Sequence, residues 1–174
     1  HKGIAVEGDP FMPLEEAVRR RDLTINALML DLRTREIVDL SGGLDDLREG
    51  RLRAVDPDSF LDDPLRALRV VQFVARTGFT PDAALVALCR QAPLDELAAE
   101  RIQTEWEKLL LKGTAIARGL EVARQADVLA RVFPERTDSL ALDAAMDRAR
   151  PARDGLDGSG RRWALMLTVW LAHT

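Results

Sequence analysis

The chain has 174 residues, enough for one domain or two small ones. Apolar residues make up 47% of it, which supports a sizeable core and excludes wholesale disorder. A formal net charge of −4 excludes a globally basic nucleic-acid coat, so any nucleic-acid binding must use a local patch.

Residues 1–12 read as loop, with Gly3, Gly8 and Pro10. Pro13 opens a short helix carrying Glu15 and Glu16 early and Arg19, Arg20 and Arg21 late, the order that suits a helix dipole. Residues 25–32, a turn near Arg33-Thr34, and residues 36–40 read as a β-hairpin. Ser41-Gly42-Gly43 reads as a turn, 44–48 as a helical turn and 52–55 as a last short strand. From Ser59 the pattern is helical, with helices over about 59–77, 81–91, 94–97, 99–111, 114–127, 137–149 and 160–173. Residues 151–160 read as a polar, glycine-rich loop. The predicted fold class is therefore α+β: a small hairpin-containing portion, a boundary near Asp56-Pro57, and an all-helical remainder.

Four clusters carry potential chemistry. The first is Arg20-Arg21-Asp22-Leu23-Thr24-Ile25-Asn26-Ala27. Arginine forks bind phosphate oxygens bidentately. On a strand, Asp22, Thr24 and Asn26 would point to one side, which suits either a ligand face or a solvent-facing edge strand. The second is Asp39 to Leu47, with Gly42-Gly43 and Asp45-Asp46. Its acids beside the glycines argue for helix capping over a phosphate cradle. The third is Asp62-Asp63-Pro64-Leu65-Arg66 and the helix it opens. Asp63 and Arg66 share a face, as a cap with a local salt bridge or as an acceptor and donor pair matching a nucleobase edge. Arg66, Arg69, Gln72 and Arg76 continue as a polar stripe on a helix otherwise apolar, so the arginines need partners. The fourth, Glu100-Arg101 with Glu105 and Lys108, has the spacing of structural ion pairs.

Several chemistries lack their residues. Neither a Walker loop, an H-E-x-x-H motif nor a nucleophile elbow occurs. The one cysteine, Cys89, lies in an apolar helical pattern, so neither a disulfide framework nor a cysteine metal cluster is predicted, and a reducing compartment fits. The two histidines, His1 and His173, stand at the ends, which disfavours a histidine metal site. Tyrosine is absent and Phe and Trp are few, which argues against a broad base-stacking platform. No apolar run reaches membrane-spanning length. The start, His1-Lys2-Gly3-Ile4, is unlike a signal peptide and reads like the middle of a longer protein.

In this order, the clusters resemble four successive motifs of the bacterial class II tRNA nucleotidyltransferases, the family of CCA-adding enzymes and bacterial poly(A) polymerases. The resemblance covers about residues 9–112. It implies a seahorse-like protein with head, neck, body and tail, here divided as 1–56 (head portion), 57–112 (nucleotide-selecting neck) and 113–174 (start of the body). It implies cytoplasmic tRNA processing, in which the 3′ end of tRNA or another RNA attacks the α-phosphate of CTP or ATP. It further implies that Asp63 and Arg66 read the base, that Arg21, Asp22 and Arg69 bind the nucleotide, and that Asn26, Asp62, Gln72, Glu100 and Arg101 support them.

The departures shape the expectation. The family's metal-binding Asp-x-Asp is not found before Arg20, so the Mg²⁺ ligands are expected upstream and this polypeptide alone is expected to be inactive. Asp62 stands where Glu is usual and Gln72 where a third arginine is common. Residues 161–174 resemble the start of a helical HD region, but Thr174 after His173 is a poor metal ligand and does not support HD activity. The competing reading is a non-catalytic RNA-binding or scaffolding remnant of this fold.

Overall fold

The computed structural model describes residues 11–134 and 140–172. Residues 1–10 of the loop predicted over 1–12, the start of the helix predicted from 137, and His173-Thr174 lie outside the described residues. Helix α1 spans Leu14–Arg19, with Glu15 and Glu16 in its first turn and Arg19 in its last. Strand β1 (Met29–Leu30) pairs antiparallel with β2 (Ile37–Val38), Met29 opposite Val38. The hairpin exists but is much shorter than 25–32 and 36–40.

Residues Thr24–Asn26 form a 3-10 turn instead of strand. Side-chain hydrogen bonds explain the difference: Asp22 accepts from the Leu23 N–H at 2.8 Å and from Asn26 Nδ2 at 3.0 Å, which curls the segment. Only Leu23 keeps a bridge, antiparallel to Ala54. The picture of Asp22, Thr24 and Asn26 side by side on a strand face is thereby corrected.

Helix α2 spans Gly43–Glu49. The strand predicted over 52–55 is instead β3, Arg51–Leu52, and it pairs in parallel with β4, Thr80–Pro81. The single helix predicted over 59–77 is two: α3 (Pro57–Phe60) and α4 (Leu65–Thr77). Proline disfavours helical geometry in the residue before it, so Asp63-Pro64 separates them. Beyond it come α5 (Ala83–Gln91), capped by Asp82, a 3-10 turn (Leu94–Glu96), α6 (Ala99–Lys112) and α7 (Ile116–Gln125). Asp127, at φ 55°, breaks the chain before an unpredicted short α8 (Val128–Val132).

Helix α9 (Leu140–Asp154) runs on through Pro151, where a loop was predicted, and α10 spans Ser159–Ala172. A tertiary anchor holds that last turn. Arg153 is 3% exposed and donates at 2.8 Å to the carbonyls of Leu110 and Gly113, which end α6. These hydrogen bonds offset the ladder bond that proline removes.

Helix α4 is the core element, packed between α6 and α7. Its Ala67, Leu68, Val70, Val71, Val74 and Ala75 are all buried. Gly119 of α7 makes the close approach possible: a Cβ there would lie 2.7 Å from Ala75 Cβ. At the other end Trp106, Phe133 and Trp170 form a cluster with ring centroids 4.8–5.5 Å apart. Cys89 is buried, which pushes its thiol up to about 12 and leaves it unreactive at neutral pH. The architecture is α+β with a helical majority. No helix among the described residues is long and apolar enough to cross a membrane.

Candidate functional site

The C-terminal end of α1 and the N-terminal end of α4 face each other across a cleft of about 280 Å³. Arg20, Arg21 and Asp22 line one side, and Asp63, Leu65, Arg66 and Arg69 the other. Four arginines against two aspartates make a basic pocket on an acidic chain, the local patch that the composition requires. All five residues predicted to bind nucleotide, Arg21, Asp22, Asp63, Arg66 and Arg69, meet there. Arg20, at the helix end just before Arg21, and Leu65 were not predicted. The run of three arginines, Arg19 to Arg21, was the available signal for Arg20.

The pairing inside the cleft differs from the spacing argument. The Arg66 N–H donates to the Asp63 carbonyl at 3.0 Å, but their side chains do not bond each other. Asp63 caps α4 by accepting from the Leu65 N–H at 3.1 Å, and Arg101 NH2 donates to both its oxygens at 3.0 and 3.1 Å. Arg66 donates to the backbone carbonyls of Ser59 and, at 2.8 Å, Arg20. Both side chains keep capacity: a carboxylate has about four acceptor positions and a guanidinium five N–H donors. Asp63 and Arg66 thus present a held acceptor and a held donor to the cleft.

Asp22 is 7% exposed and receives Arg69 Nε at 2.6 Å. Burial raises its carboxyl, but the hydrogen bonds from Asn26 and Arg69 and the arginine's charge outweigh that and hold it below the ordinary aspartate value. Arg21 is exposed, and among the described residues no carboxylate pairs with it. Its fork is open to an anion.

A buried hub holds the Asp22 turn from behind. Asp46 is 0% exposed and accepts from Thr24 Oγ1 at 2.6 Å, Arg51 Nε at 2.7 Å and Arg53 Nε at 2.8 Å. Burial raises the Asp46 carboxyl, but these partners pull it below the ordinary value. Asp46 is therefore not the helix cap its sequence position suggested. Asp39 takes that role, accepting from the N–H groups of Ser41, Gly43 and Leu44 at 2.9–3.1 Å. Those donors would be the phosphate cradle, and a carboxylate already fills it. A Cβ on Gly43 would lie 2.3 Å from the Thr24 carbonyl, so only glycine lets α2 pack on this turn.

The supporting residues divide. Asn26 and Arg101 make the contacts just given. Asp62 and Glu100 are exposed and outside the cleft lining. Gln72 is 2% exposed, buried in the α4 core instead of continuing the arginine stripe, and its Nε2 has no hydrogen-bond partner among the described residues. Phe73, not Gln72, stands between Arg69 and Arg76, with each guanidinium 5.7 Å from its ring centroid. Glu105 is buried and pairs with Lys108 at 2.7 Å. A larger cleft of about 550 Å³ lies between α7, α9 and β4, but two of its three acids are engaged: Asp147 accepts from the N–H groups that open α7, and Asp143 pairs with Arg124 at 2.5 Å, while among the described residues the exposed Glu121 accepts only from Gln125 at 3.4 Å.

The cleft carboxylates do not fit a divalent cation. Asp22 is committed to Arg69 and Asn26, and Asp63 to Arg101. Among the described residues no group of three or more His, Cys, Asp or Glu side chains is placed to hold a metal ion.

Comparison with known proteins supplies the relatives. The family model described as "Poly A polymerase head domain" matches residues 6–53, and that described as "Probable RNA and SrmB-binding site of polymerase A" matches 78–140. The chain is 39% identical over 142 residues to a "Multifunctional CCA protein" of Stenotrophomonas maltophilia, covering 78% of this chain and 34% of that one. It is 37% identical over 166 residues to a "CCA-adding enzyme" of Bordetella pertussis, covering 92% and 44%. The chain thus spans well under half the length of these curated relatives. Among solved structures, the Thermotoga maritima CCA-adding enzyme complexed with tRNA_CCA superposes with a TM-score of 0.73 at 30% identity, covering 91% of this chain and 41% of that one. A tRNA nucleotidyltransferase complexed with a primer tRNA and an incoming ATP analog gives 0.75 at 27% identity, covering 95% and 51%. Two family models in the expected order, curated relatives above one-third identity and the shared fold lead to one conclusion: the chain belongs to the class II tRNA nucleotidyltransferase family, that of the CCA-adding enzymes and bacterial poly(A) polymerases.

Proposed function

We propose that this chain is the nucleotide-selecting part of an enzyme that adds CMP and AMP to the 3′ end of tRNA without a nucleic-acid template. One observation carries the reading: five residues singled out from separate stretches of sequence converge on one basic cleft. In the reaction the RNA 3′-hydroxyl attacks the α-phosphate of CTP or ATP. A phosphodiester forms, pyrophosphate leaves, and the hydroxyl proton is released. Asp63 accepts from an exocyclic amino group of the base and Arg66 donates to its ring or carbonyl acceptors. Arg101 fixes the Asp63 carboxylate, and the Ser59 and Arg20 carbonyls fix the Arg66 fork. Arg21, with no carboxylate partner among the described residues, takes ribose or phosphate, and Arg69 contacts the nucleotide while holding Asp22.

Mg²⁺ belongs to this reading through the family resemblance. It finds no fitting ligand set among the described residues, so the role of these residues ends at holding and choosing the nucleotide. The reading divides the chain into head portion (1–56), neck (57–112) and start of the body (113–174), and it puts the reaction in the cytoplasm.

The test is incorporation of labelled CTP and ATP by the complete protein onto tRNA lacking its CCA end. Transfer of both is expected; no incorporation from either overturns the proposal. Asp63→Ala should impair discrimination among bases more than triphosphate binding. Equal loss for all four nucleotides would remove Asp63 from base reading.

A further inference from the structure

We infer that Arg69, Phe73 and Arg76 form a seat for the unpaired 3′ strand of the RNA, leading out of the nucleotide cleft along α4. The inference rests on the function proposed above but concerns a different part of the molecule and a different ligand.

At about 100° per residue, positions 69, 73 and 76 fall within a narrow arc of one helix face. The row starts inside the cleft, because Arg69 lines it. Phe73 is half-buried and packs against the core, so its ring has a fixed place. The Arg69 and Arg76 guanidinium carbons each sit 5.7 Å from the ring centroid. Arg69 has Asp22 as a partner, whereas among the described residues no carboxylate pairs with the exposed Arg76. Among the described residues other exposed arginines, such as Arg21, Arg33 and Arg35, also have no carboxylate partner; what sets Arg76 apart is the ring it shares with Arg69 and, through Arg69, its continuity with the cleft.

Two cations share one ring, and one of them has no carboxylate partner among the described residues, so the face suits an anion. The planar groups narrow its chemistry. Guanidinium faces and an aromatic ring stack on bases, and guanidinium N–H groups bind phosphates. Bases in a duplex hide their faces, so the partner is single-stranded. Continuity with the cleft puts its 3′ end toward the bound nucleotide.

The test uses the complete protein and two labelled RNA probes, a hairpin with an unpaired 3′ extension and the same hairpin blunt-ended, with ATP binding measured separately. Arg76→Glu should weaken the extended probe at least about tenfold, the scale of one lost stacking and phosphate contact. Arg76→Ala should also lower the slope of log affinity against log salt by about 0.7, the single-strand value for one phosphate. Arg76→Lys should restore the slope but not the full affinity, and ATP affinity should not move. Phe73→Leu should weaken the extended probe, and Phe73→Tyr should rescue it, which separates stacking from mere core filling. Unchanged affinity and slope in the Arg76 variants overturn the seat, as does equal weakening of both probes, which would mean duplex binding. Loss of ATP affinity instead would put Arg76 on the triphosphate and also overturn it. Wild-type protein that binds ATP and RNA while the variants are silent removes only the seat; wild-type protein that binds neither removes the proposed function as well.

Discussion

Helix α4 meets its neighbours in two different ways. Toward α6 and α7 it presents small and branched apolar side chains packed until a glycine is required, with Ala75 against Gly119. Toward α1 and α3 it presents arginines, which reach backbone carbonyls and one buried carboxylate. The apolar contact gains from area removed from water and tolerates little change of shape. The polar contact gains less net stability, since its arginines are partly exposed, but it fixes where each fork points. The first kind of contact holds the helix; the second aims the site.

The largest break should come far from the cleft. Trp106→Ala removes a 4%-exposed ring from the aromatic cluster and should cost about 3–5 kcal/mol in urea unfolding. Its Nε1 has no hydrogen-bond partner among the described residues, so Trp106→Phe should cost much less. If the ATP affinity of the folded Trp106→Phe protein falls along with stability, the two contacts are not separate. Next comes Gly119→Val, which forces α7 off α4 and should cost about 1–3 kcal/mol, seen as a lowered denaturation midpoint.

The polar side should respond to pH where the apolar side does not. Asp22 and Asp46 have folded-state carboxyls held below their ordinary value, so the stability they contribute is present above the unfolded aspartate value of about 4. It is lost as pH falls from there through the folded value. Asp22→Asn should therefore flatten the acid limb of a stability-against-pH curve and lower neutral stability by about 1–3 kcal/mol, because Arg69 loses its carboxylate. An unchanged acid limb would deny Asp22 this part.

The smallest stability effect, under about 1 kcal/mol, is expected for Arg101→Met, since the Arg101–Asp63 pair is more than one-third exposed on both sides. Its functional effect should be larger: discrimination between CTP and UTP should fall while triphosphate binding holds. A stability loss of several kcal/mol with discrimination intact would reverse the comparison for this residue.

Much of this was legible in the chain itself. Helical periodicity is local, so α5, α6, α7 and α10 begin and end within a few residues of where the apolar spacing puts them. The chemically distinctive residues could be found because arginine runs and paired aspartates are uncommon beside apolar helices. Pairings were less legible. Asp63 and Arg66 lie three residues apart, yet each has its main partner elsewhere, one on α6 and one on the carbonyls of α1 and α3. Gln72 and Phe73 exchange their expected places because α4 turns position 72 into its packed side.

By itself the sequence determined an α+β class, a family and five of the seven residues that line the cleft, since residue type and helical spacing are properties of short segments. Only the tertiary structure decided that Asp46 is a buried hub and not a cap, that β3 pairs with β4, and that α9 continues past Pro151. Each of these depends on groups brought together across many residues, Arg153 reaching the end of α6 being the clearest case. Spacing along a chain says which side chains share a face. What that face meets is settled only when the elements pack.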